Sequence, residues 1–213
     1  ANGVIIITTK KGKKGKMRID LNYYTAYSQY AKKTQVLNAK QFGQALWQAN
    51  INDGLNPNLN NLLYSFDWGV QNGVPTLYNS YVPEYLDAAK TIKASNTNWY
   101  DEVSQTGIAN SLDVSASSAS DKGSYFFSVG YYNNDGIVKL TNFKRLSARV
   151  NTSYNFFDGK LKIGENFTYN KTNELMDPGI LDPALRALPI IPVHTVDGIA
   201  WGGPVGGMND RQN

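Results

Sequence analysis

The stretch "RLSARVNTSYNF", residues 145–156, alternates without a break. Leu146, Ala148, Val150, Thr152, Tyr154 and Phe156 take one side; Arg145, Ser147, Arg149, Asn151, Ser153 and Asn155 take the other. Successive side chains of a strand point to opposite faces, whereas a helix of 3.6 residues per turn would scatter both sets around its axis. The segment therefore specifies a β-strand with one apolar and one polar face. It is about twice the usual strand of five or six residues, and it matches the nine to eleven residues that a tilted strand needs to cross a bilayer.

Four further segments share the pattern, and the five strands are expected near 17–29, 109–119, 124–133, 144–157 and 160–172. Met17, Ile19, Leu21, Tyr23, Thr25 and Tyr27 oppose Arg18, Asp20, Asn22, Tyr24, Ala26 and Ser28. Leu112, Val114 and Ala116 alternate with serines and Asp113; Tyr125, Phe127, Val129 and Tyr131 alternate with a mixed set. In the last segment Leu161, Ile163, Phe167 and Tyr169 make an apolar face that Glu165 interrupts. A β-bulge or an interfacial depth would accommodate that carboxylate. Short connections ("SDKG" at 120–123, "DG" at 158–159) alternate with long ones (31–108, 134–143, and 173–213). In an antiparallel meander this collects tight turns at one end and long loops at the other, as in outer-membrane barrels. Tyrosines and phenylalanines near strand ends suit interfacial girdles, although ordinary sheet packing would use them too.

The first long loop contains helix signals. Asn38 with Gln41 three residues later has the form of a capping box. Phe42, Ala45, Leu46 and Ala49 follow at helical spacing and end near Gly54. Pro83 favours a first helical turn, so "EYLDAAKTIKA" is expected to be a second short helix.

Catalytic and metal chemistry find no support. Cysteine is absent, and the single histidine, His194, has no acidic cluster beside it in sequence, which excludes disulfides and Cys-based zinc sites. Asp101 and Glu102 are adjacent and diverge on regular structure. "GGPVGG" at 202–207 precedes no helix that could cradle a phosphate. The expectation is no enzyme, no cofactor and no metal site. No apolar run reaches the ~18 residues of a membrane helix, a test to which barrels are blind. Six of the 21 basic residues lie in "KKGKKGKMR", residues 10–18, within a net charge of +4. Without a basic helix or a P-loop pattern this run reads as a solvated connector, and nucleic acid is not an expected partner.

The chain opens on "ANGVIIITTKKGKKG", a turn and a β-branched run followed by the lysines. This resembles the end of the plug domain of SusC/RagA-type TonB-dependent outer-membrane transporters. "TNWYDEV" (97–103), "YFFSVGYYNNDGIVKLTNFKRLSARVN" (125–151) and "LKIGENFTYNKT" (161–172) look like the first barrel strands of that family. "ALRALPIIPVHTVDG" (184–198) is similar to its segment leading into the next loop. The resemblance implies an all-β membrane fold: part of an antiparallel transmembrane β-barrel with the last strand of a plug, and short helices in the first extracellular loop. Residues 1–16 would be the plug's end and linker, and 17–213 the N-terminal part of the barrel. Plugged barrels have about 22 strands, so five would be a fragment of the wall.

The implied function is TonB-energised import of a glycan or peptide across the outer membrane of a Gram-negative, Bacteroidetes-type cell. Implied partners are a SusD-like surface lipoprotein, the TonB complex through a segment upstream of residue 1, the oligosaccharide or peptide cargo, and outer-membrane lipid. Arg18, Asp20, Asn22, Ser147, Arg149, Asn151, Ser153 and Asn155 would face the lumen. Trp47, Trp68 and Trp201 are loop aromatics that could stack on cargo or serve loop packing. Two rival readings remain at this point. One is a soluble extracellular β-sandwich for binding or adhesion, carbohydrate among its targets; the other is a secreted glycan-active enzyme with dispersed carboxylates.

Overall fold

The computed structural model describes residues 3, 14–59 and 63–199. The expected plug strand at 4–9, Trp201 and the glycine-rich 202–207 lie outside the described residues. The chain divides into two units, residues 1–30 with 106–177 and residues 31–105 with 178–213.

The first unit is one antiparallel sheet of five strands. They are β1 (Gly15–Ser28), β4 (Gly107–Ser120), β5 (Gly123–Asp135), β6 (Asn142–Phe156) and β7 (Leu161–Leu175), side by side in that order. Each strand is 13 to 15 residues long. At ~3.3 Å per residue that is about 45 Å of strand, which tilted by ~45° rises about 30 Å, the thickness of a hydrocarbon core. The strands run further than the alternation predicts, so the β5–β6 loop shrinks to residues 136–141, and Gly136 N–H closes it on Thr141 O at 3.0 Å.

The tight turns share one end of the sheet with Gly15. Asp121 and Lys122 alone join β4 to β5, while residues 157–160 join β6 to β7 with Phe157, Asp158 and Gly159 all at positive φ. Asn155 ties the two hairpins together. Its N–H donates to Lys122 O at 2.8 Å, and its Nδ2 donates to Asp121 O at 3.1 Å. Lys14 pairs with Asp121 at the same end. The β6–β7 register continues unbroken through Thr152 opposite Glu165. No bulge accommodates Glu165.

The second unit has its own core, in which Ala39, Trp47, Tyr64, Phe66, Ile190 and Ile191 are buried together. Helix α1 (Ala39–Asn52) begins at the predicted capping box: Asn38 Oδ1 accepts from Gln41 N–H, and Gln41 Oε1 accepts from Asn38 N–H. Its buried face is Ala39, Gly43 and Trp47; of the expected stripe, Phe42 and Leu46 pack half-buried against the same core, while Ala45 and Ala49 are exposed. Gly43, lacking a side chain, admits the ring of Tyr64. A Cβ there would lie 2.7 Å from Tyr64 Cδ1. Tyr64 OH donates to Ala39 O at 2.9 Å, its ring stacks on Phe66, and burial raises its pKa well above the usual phenol value.

Residues 65–81, expected to be loop, form a hairpin of β2 (Ser65–Gln71) and β3 (Val74–Tyr81). Its turn is Asn72-Gly73, at φ 49° and 80°. That dipeptide is the strongest short hairpin signal in any sequence, and it was there to be read.

The helix expected from Pro83 does not form; the described helices are α1, α2 (Trp99–Glu102) and α3 (Leu181–Arg186). Asp87 takes the backbone elsewhere. Its carboxylate accepts from Thr91 N–H (3.1 Å), Thr91 Oγ1–H (2.7 Å) and Ile92 N–H (2.8 Å). Leu86 N–H then donates to Ile92 O and Ala94 N–H to Glu84 O, folding the segment back on itself. Aspartate side chains compete with helix in this way, and the product buries Ile92 completely. The adjoining stretch is tied to the C-terminal one: Thr97 N–H donates to Pro189 O (2.7 Å), Thr97 Oγ1 to Ile191 O (2.7 Å) and Trp99 Nε1 to Leu188 O (3.1 Å).

The hydrogen bonds to Asp87, that from Thr91 Oγ1 foremost, hold its carboxyl below the ordinary 3.8. A depressed folded-state pKa stabilises the fold above the unfolded value and loses that contribution as pH falls through the folded one. Protection of the Thr91 and Ile92 amides against exchange should therefore weaken as pH drops below about 3.8. Asp87→Ala should weaken it at neutral pH too. Unchanged protection factors in both experiments would contradict the turn's dependence on this carboxylate.

Candidate functional site: the polar face of the sheet

Register converts the one-dimensional alternation of five strands into two continuous surfaces. On one face, Ile19, Ala116, Phe127, Val150 and Phe167 form a cross-strand row. Leu21, Val114, Val129, Ala148 and Tyr169 form the next. Tyr23, Leu112, Tyr131 and Leu146 follow and end on Lys171. These side chains are exposed to an extent that water does not favour: Ile19 at 63%, Leu21 at 67% and Val129 at 54%. A contiguous apolar surface of this size marks contact with protein or membrane.

The belt is slanted. It begins at Met17 on β1, two residues before the Ile19 row. On β7 it begins at Leu161, six residues before Phe167 in that row. The drift is about one residue per strand, or ~3.3 Å along for every ~4.8 Å across, an angle of about 35°. Glu165 stands within the belt on β7, opposite Thr152 and exposed.

The opposite face is mostly polar, with Phe126 and Phe143 as its phenylalanines among these strands. One row is Arg18, Ser117, Phe126, Asn151 and Asn166; the next is Asp20, Ser115, Ser128, Arg149 and Thr168. Then come Asn22, Asp113, Gly130, Ser147 and Asn170, followed by Tyr24, Ser111, Tyr132, Arg145 and Thr172. The eight side chains expected on the lumen side, Arg18, Asp20, Asn22, Ser147, Arg149, Asn151, Ser153 and Asn155, share this face by register.

Their local duties differ. Arg18 and Asp20 form an exposed pair at 2.8 Å, a geometry of little energetic worth. Asn155 is committed to the neighbouring turn, and Asn151 is only 6% exposed. Arg149 Nε lies 3.4 Å from Thr168 Oγ1. Ser147 Oγ donates to Gly130 O at 3.3 Å.

The same face holds residues that the prediction omitted. Asp113 accepts from Ser111 Oγ at 3.1 Å, and its other carboxylate oxygen reaches over Gly130, where a Cβ would meet it at 2.5 Å. Arg145 lies over the Tyr132 ring, 5.8 Å from its centroid, within cation–π range. Their alternation was visible; the register that places them beside Ser147 and Arg149 was not.

The tryptophans fare differently. Trp47 is 6% exposed, with its indole edge-on to Trp68 at 6.5 Å. It has no open ring face on which a sugar could stack; it is a core residue of the loop unit. Trp68 packs against the same core. His194 is exposed, and no group of three potential metal ligands occurs among the described residues.

Comparison with known proteins follows the same lines. SusC, a TonB-dependent receptor of Bacteroides thetaiotaomicron, is 30% identical over 198 residues, 92% of this chain and 16% of SusC. TonB-dependent receptor P3 of Formosa agariphila is 25% identical over 210 residues, 93% of this chain and 17% of that protein. The chain thus spans about a sixth of the curated relatives it matches. The RagAB peptide importer shares the fold in its closed-closed state, with a TM-score of 0.60 at 19% identity over 89% of this chain and 22% of that one. In its open-open state the TM-score is 0.54 at 20% identity, over 79% of this chain and 19% of that one. No family model matches the chain.

Proposed function

Because the chain belongs to the SusC/RagA type of TonB-dependent transporters, we propose that it builds part of the wall of an outer-membrane importer. Residues 1–16 form the plug's end and its linker, and 17–213 the N-terminal part of the barrel with its loops. The apolar belt faces lipid, and the polar face lines the route taken by a nutrient, a glycan or a peptide. A SusD-like lipoprotein at the surface and the TonB complex beneath are the partners this reading requires.

The observation that carries it is the belt itself. Its ~35° slant matches the 35–45° tilt of strands in transmembrane barrels. A soluble sandwich would bury such a face against a second sheet, yet the other sheet among the described residues has two strands, of seven and eight residues. Among the described residues β1 and β7 pair on one side only. Unpaired backbone groups cost several kcal/mol each in lipid, so both edges need further strands.

The test uses the full-length protein in the outer membrane of a strain lacking its own copy. Uptake of labelled oligosaccharides and peptides should depend on it and cease when the inner-membrane proton gradient is collapsed. Uptake that is unchanged by deleting the protein, or indifferent to the gradient, would sink the importer reading.

A further inference from the structure

Two lysines stand on the apolar face, at the long-loop end of the belt. Lys171 closes the row of Tyr23, Leu112, Tyr131 and Leu146. Lys144 opens the row beyond it, with Asn110, Asn133 and Asn173. Lys144 is opposite Asn173 and Leu146 opposite Lys171, so the two lysines are diagonal neighbours across β6 and β7. Such neighbours sit about 7–8 Å apart. Both are exposed, and neither is in a salt bridge among the described residues.

Like charges set side by side on an antiparallel pair repel, and at the rim of a low-dielectric belt the repulsion is poorly screened. Asp135, diagonal to Lys144 across β5 and β6, offsets part of that charge, but its carboxylate accepts from Asn142 Nδ2 at 2.7 Å and no salt bridge joins it to either lysine. Glu165 is six residues along β7 from Lys171, roughly 20 Å away. Glu174 lies on the polar face, opposite Phe143.

We propose that Lys144 and Lys171 hold the phosphorylated headgroup of an anionic membrane lipid whose acyl chains lie along Leu146, Tyr169 and Val129. The inference rests on the lipid-facing reading of the belt. It adds that this part of the surface selects its lipid by charge. The chemistry is complementary at each level: two ammonium groups for a phosphate, Asn133 and Asn173 amides as neutral donors beside them, and a continuous apolar strip below. Lysine side chains at a belt's edge extend their heads to the interface while their stems stay in the apolar zone.

The test is native mass spectrometry of the full-length protein released from detergent, titrated with phosphatidylglycerol and, separately, with zwitterionic phosphatidylcholine. Loss of two lysines at an anionic surface predicts roughly thirtyfold weaker retention of phosphatidylglycerol by the Lys144→Gln/Lys171→Gln double variant. Phosphatidylcholine retention should not change. Lys144→Arg/Lys171→Arg should keep the selectivity, and so should Lys162→Gln, which removes a charge from the polar face. Equal phosphatidylglycerol retention by wild type and double variant overturns the proposal and leaves the barrel reading intact. Equal loss of both lipids overturns it too, by showing general damage to the belt. A full-length protein that stays in the aqueous phase and binds no lipid overturns the proposal and the barrel reading together.

Discussion

Val129→Arg in the full-length protein should cost about 2–4 kcal/mol of unfolding free energy in lipid or detergent, the usual penalty for a charge near the middle of a barrel's outer belt. Ser115→Arg, on the opposite face and directly across from Asp20, should cost a small fraction of that. The contrast is informative because Val129 is 54% exposed. A soluble protein tolerates substitutions at so exposed a position within about 0.5 kcal/mol. Water would accept the guanidinium; hydrocarbon does not. Urea titration of both variants in the same vesicles would measure the difference. A cost below about 0.5 kcal/mol at Val129 would remove lipid from that face.

Gly43→Leu should unfold the loop unit more readily by about 1–3 kcal/mol, the cost of overpacking a filled site. On propensity alone the change should help, since glycine inside a helix costs about 1 kcal/mol relative to good helix formers. Packing reverses the sign. The first carbon of the new side chain already falls 2.7 and 2.8 Å from Tyr64 ring carbons, and Ser80 Cβ is 3.6 Å away on the next side. Tyr64 cannot retreat without giving up its bond to Ala39 O and its stacking on Phe66. Ala45→Leu, on the exposed side of the same helix, is the control and should be close to neutral. Hydrogen-exchange protection along α1 reads both. Equal protection in the two variants would mean that Tyr64 is not fixed as described.

Much of this molecule is legible in one dimension because its strands are long. Twelve alternating residues leave no competing periodicity, so the strand at 145–156 and the division of its side chains could be written down from the letters. The capping box of α1 was equally plain, being a local exchange between Asn38 and Gln41. Failures came where a side chain outbid a propensity. Pro83 and the residues after it have helical character, but Asp87 captured the amides of Thr91 and Ile92. The helical stripe of α1 was half right, with Phe42 and Leu46 on the core but Ala45 and Ala49 outside it, because an apolar count gives Gly43 no weight, and Tyr64, twenty-one residues away, makes it the contact. Trp47 could be named a cargo platform or a core anchor from sequence; only its neighbours decide.

What the sequence by itself determined is the local alternation: which residues extend, which tight turns join them, and which side chains share a strand face. These follow from two-residue geometry and turn chemistry, both short-range. What only the tertiary structure decided is register. Pairing β6 with β7 so that Lys144 sits diagonal to Lys171, and aligning Ile19 with Phe167 across three intervening strands, depends on hydrogen bonds between distant segments. A shift of one residue in any ladder would turn a strand's apolar side chains to the other face. The slant of the belt, the place of Glu165 within it and the lysine pair at its rim exist only once that register is set.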